Sequence, residues 1–222
     1  MIEELTVGSI MVWLVYLSGL SEADFEEMYQ LCGVERREKI DRIKPEVKRK
    51  QSICAGYLVY LLRQRFAVPE EPFLSDGGKP VFPGNSGICF NISHSGSYVV
   101  LAFGDRELGV DVECVGQANL KVAKRFFTGR EYDHLMELGE AEQRDAFYRI
   151  WTGKEAVVKA AGCGLSLSPR SFSVLKDRVE LSGNVYELGR QRIETGEEVL
   201  WISVAQLMEG KLELLEESDQ NS

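Results

Sequence analysis

Histidine is scarce in this chain, with two in 222 residues, and its five cysteines form no CxxC pair and no cysteine–histidine ligand spacing. Those absences exclude a zinc module and a disulfide framework, and lead us to expect a reduced, cytoplasmic chain. Long apolar runs are missing too. Ile10–Leu17 is too short to cross a bilayer and follows Glu3 and Glu4 rather than basic residues, so neither a spanning helix nor a signal peptide is expected. Positive charge is also in deficit. A formal net charge of −9 argues against a general nucleic-acid binder, whose footprint would be basic.

What is present is an ordinary globular composition, 44% hydrophobic and 27% charged, long enough for one large domain or two small ones. The cations are unevenly spread. Arg36, Arg37, Lys39, Arg42, Lys44, Lys48, Arg49 and Lys50 face only Glu38, Asp41 and Glu46 in the same stretch. Such a patch on an acidic protein suggests an anionic ligand or partner, or else a solvated helix face.

Periodicity supplies the elements. Val7–Tyr16 reads as a buried strand, and Ser21–Asp24 as a capping pattern opening a helix with Phe25, Met28 and Leu31 inside. Lys48–Arg65 reads as a longer helix with Ile53, Tyr57, Tyr60 and Leu61 on its apolar face and Lys50, Gln51, Arg63 and Arg65 outside it. Asp76–Pro80 is a glycine turn. Cys89–Ser93 and Tyr98–Phe103 read as strands, Gly104–Arg106 as a hairpin turn, and Leu108–Glu113 as a further strand. Helices follow over Leu120–Phe127, Thr128–Leu138 and Gln143–Ala161, the last stopped by Gly162 and Gly164. Short strands are expected at Phe172–Leu175, Arg178–Leu181, Val199–Gln206 and Lys211–Leu215, before a polar tail over Glu216–Ser222. The fold class is α+β, in two similar halves of helix plus strands, 1–107 and 108–222.

Two acidic motifs stand out. In Gly109-Val110-Asp111-Val112-Glu113, alternation on a strand points both carboxylates to one face. In Trp151-Thr152-Gly153-Lys154-Glu155-Ala156-Val157-Val158-Lys159, Glu155 and Lys159 stand one helical turn apart. Together they would make a site for a hard divalent cation and a phosphate ester. Taken singly, each has a plainer reading: a solvated strand face, a helix cap or a surface ion pair. Asn91-Ile92-Ser93-His94-Ser95 is either a binding loop or a self-bonded turn, and Lys79-Pro80 either offers a cation to phosphate or is a surface turn.

In order and spacing, Gly78-Lys79-Pro80, Phe90–Ser95, Leu108–Glu113, Lys124-Arg125-Phe126-Phe127 and Trp151-x-x-Lys154-Glu155-x-x-x-Lys159 with Gly162–Leu165 resemble the Sfp-type (surfactin-synthetase-activating) 4′-phosphopantetheinyl transferases. The resemblance implies an intramolecular pseudo-dimer, active as a monomer, with coenzyme A in the cleft between its halves. It implies transfer of the 4′-phosphopantetheine arm of coenzyme A to a serine of an acyl or peptidyl carrier protein, releasing 3′,5′-ADP. Asp111, Glu113 and Glu155 would hold Mg²⁺, with Mn²⁺ an alternative, and Lys159 and Lys154 would contact the phosphates. Ser93, His94, Arg36 and Lys39 would serve the 3′-phosphate, Lys50 would take over where Gln51 replaces the family's arginine, and Lys79 and Pro80 would line the adenine side. Glu131 is a candidate base or simply the partner of Thr128 in a helix cap; Glu155 and a metal-bound hydroxide are other candidates for the base. The carrier would dock around Arg125–Phe127. No nucleic acid or membrane partner is expected. The competing readings are a small trimeric carrier-protein synthase, a coenzyme A-binding protein without transferase activity, and a generic Mg²⁺ phosphohydrolase.

Overall fold

Strands that are apolar at every position need a cover on both faces, and the central strands of this chain have one. The computed structural model describes residues 2–75, 77–84, 86–162, 167–196 and 198–209. The fold is mixed α and β. One antiparallel sheet has the order β1-β2-β6-β5, from Ile2–Val7, Ile10–Tyr16, Tyr98–Gly104 and Cys89–Ser95. A second has the order β7-β10-β9-β8, from Leu108–Cys114, Glu198–Glu209, Asn184–Thr195 and Arg178–Leu181. A short two-stranded ribbon joins β3 (Phe73–Leu74) to β4 (Pro80–Val81).

The two large sheets stack face to face. Val12, Leu14, Val100 and Ala102 of the first meet Val110, Val112, Leu200, Ile202 and Val204 of the second in a common core. Alternate residues then point outward to helices. Trp13, Val15, Val99 and Leu101 pack with α1 (Glu22–Leu31), α2 (Val34–Asp41) and α3 (Glu46–Phe66). On the outer face of the second sheet, α6 (Glu140–Ala161) lies across β7 and β10, with α4 (Leu120–Phe126) and α5 (Gly129–Met136) beside it. Four layers result: helices, sheet, sheet, helices. Each sheet is wound alike. A strand (β2 or β7) leads to a long helix (α3 or α6) and then to a hairpin whose second strand returns beside the first.

Several expectations are corrected. Val7–Tyr16 is not one strand; Gly8, at φ 63, turns the chain between β1 and β2. Gly104–Arg106 does not close a hairpin, because β6 pairs with β2 and β5 while β7 pairs with β10, so that turn carries the chain between sheets. The buried ridge of α3 is Cys54, Leu58 and Leu62, with Tyr57, Tyr60 and Leu61 only half-buried. Gln51, expected outside, is 5% exposed. Phe172–Leu175 is irregular although Phe172 and Val174 are buried, and the long strand β9 was not anticipated. Gly164 as a helix stop, Asp76, the Lys211–Leu215 strand and the polar tail lie outside the described residues; Gly162 does end α6, at φ 64. Among the described residues no helix is long and apolar enough to cross a membrane.

Candidate active site

A helix can reach a strand as closely as α6 reaches β7 only over a residue without a side chain. A Cβ on Gly109 would lie 2.3 Å from both the Ala156 carbonyl oxygen and the Ala160 nitrogen. That approach places Lys159 and Glu155 against the outer face of β7, the face on which Asp111 and Glu113 stand. Lys159 Nζ donates to Asp111 Oδ1 at 2.7 Å, to Ser93 Oγ at 3.0 Å and to the Val110 carbonyl at 3.0 Å. Ser93 Oγ donates in turn to Asp111 Oδ1 at 2.8 Å, and Ser95 Oγ to Glu113 Oε2 at 2.6 Å.

The electrostatics agree with this gathering. Burial pushes the Glu155 carboxyl above its ordinary value, the negative charges of Asp111 and Glu113 push it further, and Lys159 opposes them. Burial and Asp111 likewise raise Glu113, against hydrogen bonds from Ser95 and Trp151. Carboxylates that raise one another's affinity for a proton also attract a divalent cation. Asp111 Oδ2 is a buried oxygen with no hydrogen-bond partner among the described residues, which is where a cation would be accommodated. Three hard oxygen donors are the kind that Mg²⁺ takes, while among the described residues no group of three His, Cys, Asp or Glu side chains is drawn together closely enough to hold a metal. Lys159 also lines a cavity of about 240 Å³ with Gly78, Lys79, Pro80, Asn91 and Gly162.

A profile described as the 4′-phosphopantetheinyl transferase superfamily matches residues 107–195, the stretch containing β7, α6 and most of the second sheet. The chain is 34% identical over 159 residues to 4′-phosphopantetheinyl transferase Sfp of Bacillus subtilis (strain 168), covering 70% of this chain and 71% of that one. It is 34% identical over 188 residues to 4′-phosphopantetheinyl transferase ffp of Bacillus subtilis, covering 80% and 77%. The chain belongs to the 4′-phosphopantetheinyl transferase superfamily. The likeness extends to Xenopus laevis L-aminoadipate-semialdehyde dehydrogenase-phosphopantetheinyl transferase, at 33% identity over 136 residues, 56% of this chain and 42% of that one.

Not every expected site residue of this phosphopantetheinyl transferase joins the cluster. Glu131 and Lys154 form an ion pair at 2.8 Å with both side chains 0% exposed. Glu131 completes a capping box with Thr128 and accepts the Val174 N–H at 2.7 Å. Lys154 Nζ donates to the carbonyls of Pro169 and Phe172. Burial lowers its affinity for the proton while Glu131 sustains it. The pair thus secures the 169–174 segment rather than facing the cavity. Phe127, expected to be an exposed docking residue, is 1% exposed and stacks on Phe147, leaving Arg125 and the half-buried Phe126 at that surface.

The anion-binding residues divide similarly. His94 is exposed, and the protein around it together with Lys159, Lys48 and Arg36 holds its imidazole below the ordinary value. Arg36 is half-buried and donates to the Ser52 carbonyl through Nε and Nη2. Lys39 is exposed on α2. Lys50 turns away to Glu22 and Glu46 and sits over the Phe25 ring, and Gln51 Nε2 donates to the Gly96 carbonyl at 2.8 Å. Lys79 Nζ binds Glu107 Oε2 and the Leu108 carbonyl, so its ammonium braces the junction between the sheets while its stem lines the cavity. In the sequence Gly109 and Ser95 are only letters of a motif; their part becomes visible once β5, β7 and α6 meet.

Proposed function

We propose that this transferase moves the 4′-phosphopantetheine arm of coenzyme A onto a serine of an apo acyl or peptidyl carrier protein, releasing 3′,5′-ADP. The reading rests chiefly on one observation: Lys159, which lines a cavity, bonds Asp111 beside two further carboxylates that burial and mutual repulsion leave short of positive charge. Asp111, Glu113 and Glu155 would hold Mg²⁺, or Mn²⁺ in its place, and the ion would neutralise charge on the pyrophosphate of coenzyme A.

The chain's own residues do the rest. Lys159, already aimed at the carboxylates, contacts the pyrophosphate and stabilises charge on the departing oxygen. The exposed His94, with Lys48 and Arg36 acting on it, receives the 3′-phosphate. Lys39, at the exposed edge of the same basic stretch, adds to that field. Pro80 and the Lys79 stem line the adenine side. Glu155 accepts no side-chain hydrogen bond among the described residues, so the carboxylate oxygen that would not hold the ion can take the proton of the carrier serine. The serine oxygen bonds the β-phosphorus as the bond to the bridging oxygen breaks. Glu131, enclosed with Lys154, takes no part in that proton transfer.

On this reading residues 1–107 and 108–222 are two halves of an intramolecular pseudo-dimer, supported by the strand, long helix and returning hairpin that each contains, and the protein acts as a cytoplasmic monomer. The test is mass spectrometry of an apo carrier protein incubated with the enzyme, coenzyme A and Mg²⁺. A phosphopantetheine increment on the carrier serine is expected. No increment on peptidyl or acyl carriers would sink the proposal.

A further inference from the structure

Ser95 has a hydroxyl whose direction the backbone decides. Its Oγ accepts the Cys114 N–H at 3.3 Å, so its single proton is left for Glu113 Oε2, 2.6 Å away. Two residues earlier the pattern repeats: Ser93 Oγ accepts from the Lys159 ammonium and donates to Asp111. Two earlier again, Asn91 Oδ1 accepts the Val110 N–H at 3.0 Å. One face of β5 is therefore a polar ladder laid against β7, built from alternate residues as strand geometry requires. Hydroxyl-to-carboxylate bonds are charge-assisted; they favour the ionised acid and fix its orientation.

We propose that Ser95 is a positioning residue for the transfer: its hydroxyl turns Glu113 toward Asp111 and Glu155 and holds it there. The first sheet, which gives no carboxylate to the cluster, thereby sets how tightly the cluster takes a divalent cation. Partners one step behind a metal ligand commonly matter this much, because they fix the ligand's rotamer before the ion arrives. The inference rests on the cation site assigned above, and its test can be read without transfer.

The experiment compares the full-length protein with Ser95→Ala and Ser95→Thr, measuring bound Mn²⁺ by electron paramagnetic resonance without coenzyme A. Ser95→Ala is expected to bind Mn²⁺ roughly 10–100-fold more weakly, and Ser95→Thr, which keeps the hydroxyl, to restore binding. In transfer assays at limiting metal, Ser95→Ala should lower kcat while KM for coenzyme A stays within about twofold. Unchanged Mn²⁺ affinity in Ser95→Ala overturns the proposal. So does a parent protein that binds no Mn²⁺, or a folded Ser95→Thr that fails to recover. A parent that binds Mn²⁺ but modifies no carrier refutes the proposed reaction instead, and leaves the Ser95 comparison standing.

Discussion

Glu113 and Glu155 are carboxylates that burial and the neighbouring charge of Asp111 make hard to ionise, and this bears on both stability and reaction. Glu113 and Glu155 have folded proton affinities above their ordinary values. Across the interval between the two values the folded state therefore binds more protons than the unfolded state, and stability falls as pH rises. Removing one charge should relieve this. Glu155→Gln is expected to raise Tm by ~2–4 °C at pH 8 without divalent metal, the gain vanishing below the ordinary carboxylate range. The same change should lower transfer on the order of 100-fold or more. Calorimetry and carrier-modification rates read the two effects, and a lower Tm for Glu155→Gln would contradict the account. The residues of this cluster were legible in the sequence because alternation and helical spacing each put two groups on one face. Their meeting was not legible from spacing, since nothing local joins 111 to 155; the family resemblance implied it. Lys154 and Glu131 are enclosed and bonded to each other; the cap that Glu131 makes with Thr128 was one of its two sequence readings, whereas the ion pair with Lys154 was not legible.

At the scale of elements, caps and stops carried most of the legible fold. Ser21 with Asp24 and Thr128 with Glu131 form capping boxes, and Gly162 ends α6 in the left-handed region, as their spelling implies. What escaped was any feature depending on a partner element. β9 alternates few apolar residues and becomes a strand because β10 and β8 flank it. Irregular 172–175 keeps Phe172 and Val174 buried because Glu131 and Lys154 bond its backbone. Gly109 is the element-scale determinant of the site. Alanine there would place a methyl against the backbone of α6 on the side where no flexible side chain can yield. Gly109→Ala should destabilise by ~1–3 kcal/mol through overpacking, a Tm fall of roughly 3–10 °C. Because α6 must shift from β7, transfer measured well below the new Tm should fall as well. Parent-like stability and rate would show that this contact does not gather the cluster.

At the scale of the whole molecule, the two sheets must keep one fixed stacking for β5 to address β7 side chain by side chain. Their apolar faces supply adhesion but little direction, since Val, Ile and Leu packing tolerates sliding. Direction comes from contacts with no slack. The Asn91–Ser93–Ser95 ladder is one. The other is the meeting of Gly8 with Gly189, where a Cβ on Gly189 would stand 2.6 Å from the Val7 carbonyl oxygen and 2.7 Å from the Gly8 nitrogen. Gly189 belongs to β9, two strands from β7, and bears no group of its own on the reaction. Gly189→Val should nonetheless push the β1–β2 turn off the second sheet, destabilise by ~1–3 kcal/mol, and weaken Mn²⁺ binding through the displaced ladder. Denaturant titration and Mn²⁺ resonance separate the two effects. If Gly189→Val lost stability but bound Mn²⁺ as the parent does, the ladder alone would set the register, and the close glycine contact would serve packing only.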